Sequence, residues 1–272
     1  MIDFGNSSQA LNAMTALAAI GVAISSGEYL HQRHEFRSDG LFAWRLHRGR
    51  TSFGIRAIDR VVGRLMEEQV VVILLALRLT AAILLLLALV ASLDAVASGT
   101  LAVILATTLL FHSRPGLGTE GSDQMSAVVL VAAALGRWFP SPHAVQLALA
   151  FVAAQVCLAY LSAGISKIAA RPWRSGSAVV RIVSASMYGY EPTALLLQRH
   201  DWMSPAATCG VIATECLFPL VLVAPPATAT VLFAAMFAFH VACAFVMGLN
   251  CFVWSFVSTY PAVLFVRAQT GR

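Results

Sequence analysis

Four ionisable residues sit within or at the end of long apolar runs. Arg78 interrupts VVVILLALRLTAAILLLL, Glu215 lies in GVIATECLFPLVL, His240 is central in VLFAAMFAFHVACAFVM, and Lys167 closes AYLSAGISKIAARPW. An ionisable group at bilayer depth is costly, so each marks a site or a specific structural bond. Lys167 is the only lysine, against 17 arginines. Arginine stays charged in proteins, whereas a desolvated lysine can release its proton and act as a base. The competing account of Lys167 is a side chain snorkelling from a span end to the interface.

Glu215 and His240 offer a carboxylate and an imidazole, the pair of groups that moves protons in general acid–base chemistry. Their runs meet at the tight turn Ala224–Pro225–Pro226, which makes them antiparallel neighbours. Counting residues to that turn at 1.5 Å per residue puts the two side chains within roughly 6 Å in depth. The structural alternative is a plain interhelical hydrogen bond for each. By sign alone, Arg78 is the counter-charge for Glu215. Asp123 is placed to cap the span that follows it, or to line the same cavity. His112 falls at an interface, and Trp138, Trp173, Tyr188, Tyr190 and Trp202 read as the interfacial aromatic belt. The five cysteines lie in apolar stretches without a CxxC pair and read as small hydrophobes.

The elements that position these groups are membrane helices. Of 272 residues, 59% are apolar and only 11% charged, with a mean hydropathy of +0.78. This excludes a secreted disulfide scaffold, a disordered chain and an ordinary cytosolic enzyme. Apolar runs predict about eight spans, at 8–27, 69–93, 95–112, 123–139, 144–166, 205–224, 227–247 and 249–267, with seven to nine the range because two are short. The expected fold is all-α: one polytopic transmembrane bundle over 1–272, without internal repeats.

Two connections, 28–68 and 167–204, are long enough to lie on the membrane surface. The first carries eight arginines, with Ile58, Val61, Val62 and Leu65 on one helical face and Arg56, Arg60 and Arg64 on another. The second carries Lys167, Arg171, Arg174, Arg181 and Arg199 around an apolar stretch at Val179, Val180 and Val183. Four spans separate them, so they share a side. With Arg114 that side holds 14 basic residues, against Arg137, Arg267 and Arg272 on the other. The positive-inside rule assigns both loops to the cytoplasm and the N-terminus to the outside. The net charge of +5 and pI of about 9.2 are thus read as orientation and headgroup contact, not nucleic-acid binding.

The stretch Y-L-S-A-G-I-S-K-I-A-A-R-P-W-R-S-G (160–176) resembles the signature of the vitamin K-dependent γ-carboxylase-like membrane proteins, the HTTM domain, where a span ends in Ala-Gly-x-x-Lys followed by Trp and Gly. Gly-Ser-Asp (121–123), T-E-C-L-F-P (214–219) and F-H-V-A-C-A-F-V-M-G-L-N-C-F-V-W (239–254) resemble further family segments in order, and D-G-L-F (39–42) adds weaker support. The resemblance implies a membrane enzyme that oxygenates a quinol such as reduced vitamin K, with Lys167 as the base that deprotonates it. It departs from the animal carboxylases in having Asp123 where they carry a histidine, and in the short form found in many bacterial relatives. It also argues for the opposite membrane face from the charge count.

The expected function is therefore a carboxylase-like enzyme of the bacterial plasma membrane with a lipid-soluble quinol as cofactor. Lys167, Glu215 and His240 are its catalytic candidates; Arg78, Asp123, Trp173 and Asn250 are the candidates for contacting the bound molecule, with no metal. Expected partners are membrane lipids, and a peptide substrate or redox protein. The rival expectation is a non-catalytic accessory, immunity or export factor for a secreted peptide. A proton-coupled transporter is a weaker third, as no inverted repeat is visible.

Overall fold

Asn6 starts the first helix: its side-chain oxygen accepts the amides of Ser8 and Gln9 at 3.0 and 3.2 Å, satisfying donors that the helix itself leaves unpaired. The computed structural model describes residues 4–47, 54–112, 121–185 and 189–271. Among them there is helix and no strand. Arg48, Arg50, Arg114, Glu120, Tyr188 and Arg272 lie outside the described residues, as does the side chain of Arg56. The helices are α1 (Ser7–His31), α2 (Trp44–His47), α3 (Arg56–Leu65), α4 (Glu68–Val90), α5 (Asp94–His112), α6 (Gly121–Trp138), α7 (Pro142–Ala169), α8 (Arg171–Arg174), α9 (Ala178–Val183), α10 (Glu191–Arg199), α11 (Met203–Leu217), α12 (Pro226–Met247), α13 (Asn250–Val257) and α14 (Tyr260–Thr270).

Among the described residues, seven stretches are long and apolar enough to cross a membrane: α1, α4, α5, α7, Met203–Leu222, α12 and Asn250–Thr270. The fourth expected span, 123–139, is present as helix α6, but its 18 residues begin Gly-Ser-Asp-Gln and end Gly-Arg-Trp, which leaves a short apolar centre. Large apolar side chains such as Ile73, Leu87, Val231 and Phe245 point outward, the surface that a hydrocarbon solvent requires.

The chain forms two compact units, one of Leu11–Ala148 and one of Met1–Ala10 with Leu149–Arg272. In the first, Val71, Leu75, Arg78, Ala82 and Leu85 make one buried stripe along α4, which packs on α5 across a three-residue turn; α5 packs in turn on α6. Arg137 ties this unit at one end, donating to Asp94 and Asn12. Described residues of the 28–68 connection pack onto this unit. Phe36 and Met66 are buried with Val71, Leu75 and Phe111, and Tyr29, Phe42 and Trp44 pack around them as an aromatic cap over α4 and α5.

In the second unit, three corrections to the expected boundaries bear on the site. First, α7 continues through Ala169, so Lys167 stands in its last turn and not at the start of a surface loop. The sequence ISKIA holds no breaker; the helix stops at Ala170, whose backbone is extended ahead of Pro172. Second, the sixth span tightens to a 3₁₀ turn at Phe218–Leu222, because Pro219 cannot donate to the Glu215 carbonyl four residues back. Arg267 and Thr270 of α14 supply donors to the carbonyls of Val221 and Leu222 there. Third, the last span breaks at Ser258–Thr259, where Pro261 opens α14 and both hydroxyls turn back onto carbonyls of α13. Gly248, with φ of 70°, ends α12 in the left-handed conformation that lets α13 fold back against it. The 167–204 segment packs inward through Val183, Ala194 and Leu197, with Val246 of α12 against them.

Candidate functional site

Spacing along α7 puts Tyr160, Gly164 and Lys167 on one face, at i, i+4 and i+7. Each of the three meets a different part of the second unit.

Lys167 Nζ donates to both carboxylate oxygens of Glu215, each at 2.7 Å. The carboxylate side chain is 5% exposed and the lysine side chain 19%. Glu215 thus takes its cation from Lys167, the role that sign alone had offered to Arg78. The Trp173 ring centroid lies 5.1 Å from Nζ, in range for a cation–π contact. Trp173 is held there by α8, whose Arg174 donates to the end carbonyls Ile168 and Ala169 of α7. Two groups that the sequence argument did not choose as site residues lie near this pair. Cys243 of α12 lies in the electrostatic field of both Glu215 and Lys167.

Gly164 is the second such group. A Cβ there would fall 2.5 Å from Cys216 Sγ, 3.1 Å from the Cys216 amide nitrogen and 3.3 Å from Glu215 Cβ. Only a residue without a side chain lets α7 and α11 approach closely enough for the ion pair to form. The signal was present as the glycine between Tyr160 and Lys167.

Deeper in the unit, Tyr160 Oη and His240 Nε2 are hydrogen-bonded at 2.7 Å. His240 is 1% exposed and stacks on Phe256 with ring centroids 4.5 Å apart at 12°. Phe218 meets Tyr160 edge-on at 4.6 Å. With the phenol as donor, the neutral imidazole carries its proton on Nδ1, which has no hydrogen-bond partner among the described residues. The structure therefore makes two pairs, Lys167 with Glu215 and Tyr160 with His240, roughly 10 Å apart along α7. Tyr160 also lies in the field of Glu215. Tyrosine 160 as the histidine's partner was not legible, because nothing local links residues 80 apart.

Replacing Tyr160 by phenylalanine is expected to cost about 1–3 kcal/mol of stability, since a buried imidazole nitrogen loses its hydrogen-bond partner. Tyr160→Phe with His240→Phe should recover most of that loss, both partners then being apolar. Thermal unfolding of the purified variants measures this; an unchanged midpoint for Tyr160→Phe would show that the bond contributes nothing.

The remaining candidates lie elsewhere. Asn250 is the first residue of α13, in the same unit as Lys167. Asp123 stands third in α6, inside its first turn, and so does not cap that helix from outside. Within the Leu11–Ala148 unit Asp123 lies in electrostatic range of Arg78, as does Tyr29. Arg78 is 8% exposed, donates to Thr108 Oγ1 at 3.2 Å and sits 5.8 Å from the Phe111 ring centroid.

No family model, no curated protein and no solved structure matches this chain.

Proposed function

We propose that the chain is a membrane-embedded enzyme in which the Lys167–Glu215 pair withdraws a proton from a lipid-soluble quinol or similar reductant, in the manner of the carboxylase-like family that its sequence resembles. The observation that carries this reading is the pair itself: an amine and a carboxylate joined by two 2.7 Å contacts, largely away from water. In such surroundings the charged pair pays a desolvation cost that the neutral amine–carboxylic acid form avoids. Transfer of one proton across the short contact therefore frees the lysine lone pair. That lone pair then takes the proton of an acidic hydroxyl, whose bonding electrons stay on oxygen. The Trp173 face stabilises the ammonium that results. The donor set suits such a molecule: a base, a carboxylate and a flat aromatic wall. A bound quinol supplies the acidic hydroxyl and two electrons. Tyr160 and His240 hold the next proton-exchanging positions inward.

The test uses purified full-length protein, extraction of bound quinone, and quinol oxidation followed under dioxygen. Lys167→Ala is expected to lower the rate by about 100-fold or more, the usual scale for loss of a general base. Turnover equal to wild type removes Lys167 from the chemistry.

The same pair supports a second reading. The two-oxygen geometry also suits a purely structural tie between α7 and α11, as in a non-catalytic accessory, immunity or export factor for a secreted peptide. A peptide-precursor gene beside this one, with no quinol oxidation, favours that reading. Placement in a bacterial plasma membrane with the 28–68 and 167–204 segments in the cytoplasm rests on the arginine bias; labelling of single cysteines introduced at Arg37 and Arg199 from either side tests it.

A further inference from the structure

In the Leu11–Ala148 unit, the cluster around Arg78 contains two buried polar atoms that no described residue satisfies: Arg78 Nε and His112 Nε2. Arg78 is the eleventh residue of the 23-residue α4, more than nine-tenths buried in a helix long and apolar enough to cross a membrane. Among the described residues its side chain donates one hydrogen bond, to Thr108 Oγ1. The same threonine fixes the histidine: His112 Nδ1 lies 2.8 Å from the Thr108 carbonyl oxygen. A carbonyl only accepts, so Nδ1 carries the ring proton and Nε2 of the neutral ring presents a bare lone pair. The unsatisfied atoms are therefore of opposite sense, an N–H donor and a nitrogen acceptor, both anchored to one residue.

Opposite sense restricts what can satisfy them. A carboxylate, a phosphate or a ketone accepts from Arg78 but has no proton for His112. An ammonium donates to His112 and is repelled by the guanidinium. Asp123 already stands in the field of Arg78, which lowers the demand for a second anion. A hydroxyl group does both: its oxygen accepts from Nε and its proton goes to Nε2. The described surroundings mix the two kinds of side chain: Phe111 lies against Arg78 and joins the buried set Phe36, Met66, Val71 and Leu75, while Thr108, Tyr29 and Asp123 are the polar neighbours of the guanidinium.

We propose that Arg78, Thr108 and His112 form a binding site for the hydroxyl group of a lipid-soluble alcohol or phenol, entering from the bilayer beneath the aromatic cap. The site lies within one unit and does not depend on the chemistry at Lys167.

The experiment uses full-length protein in phosphatidylcholine nanodiscs, a lipid without hydroxyls, and a diazirine-bearing dodecanol as photoprobe. Labelling is expected on peptides from α4 and α5. Unlabelled 1-dodecanol should compete at a concentration at least tenfold below that of 1-methoxydodecane, which accepts but cannot donate; tenfold is one hydrogen bond's worth of affinity. His112→Phe should erase the difference between the two competitors, and Arg78→Leu should abolish the labelling. Equal competition by alcohol and ether in wild type, or labelling confined to other helices, overturns the proposal and leaves the two atoms to a buried water. The wild-type comparison needs no variant to fold.

Discussion

Lys167→Met is expected to unfold well below wild type, with a loss toward the lower end of the 3–5 kcal/mol typical when one member of a buried ion pair is removed. Glu215, 5% exposed, would be left as an anion without its cation, or would have to bind a proton to remain buried. The partial exposure of the lysine places the loss at the low end. The double variant Lys167→Met with Glu215→Gln should recover most of the stability, because it removes both charges and leaves two groups of similar volume. Heat or denaturant unfolding of the three proteins closes the cycle. If the double variant is no better than the single, the 2.7 Å contacts are not what holds α7 to α11. Recovery of folding without recovery of activity would separate the structural part of the pair from the chemical part.

The second large effect is expected from a single methyl group. Gly164→Ala places a Cβ 2.5 Å from Cys216 Sγ and 3.1 Å from the Cys216 amide nitrogen. The sulfur can rotate away, but the amide belongs to α11, so the helix itself must shift. Glu215 is the neighbouring residue and moves with it, stretching its contacts with Lys167. A displacement approaching 1 Å at a reacting group costs on the order of 100-fold in rate, so activity should fall sharply while the chain still inserts and folds. Cys216→Ala in the Gly164→Ala background removes the worst contact and should restore part of the rate. Full activity for Gly164→Ala alone would mean that the closeness of α7 and α11 is not needed.

Much of this architecture can be read from residues alone, for definite reasons. Hydropathy is a strong, local signal, so the helices fall where the apolar runs do, and the four ionisable residues within them stand out. Arg78, Glu215 and His240 each occupy a buried face of their helix, as the cost of exposing them to lipid requires. Pairing is another matter. Which residue meets Glu215 depends on the rotation of α11 against α7, set by the packing of Gly164 on Cys216, 52 positions apart. Opposite charge alone chose Arg78, whereas helix packing chose Lys167. Tyr160 is the same case: a tyrosine in an apolar helix reads as one more large side chain until its hydroxyl is found 2.7 Å from His240. The arginine-rich 28–68 segment read as a surface element because charge dominates its composition. The aromatics that fold it inward, Phe36 and Phe42, follow no helical period.

The most direct test of the central claim is the quinol oxidation rate of Lys167→Arg. Arginine keeps the positive charge and can bond both Glu215 oxygens, so the tie between α7 and α11 is preserved, but it does not give up its proton to become a base. The proposed chemistry predicts a variant with near wild-type unfolding and a rate lowered by about 100-fold or more. Wild-type turnover by Lys167→Arg would contradict it and leave the pair as structure alone.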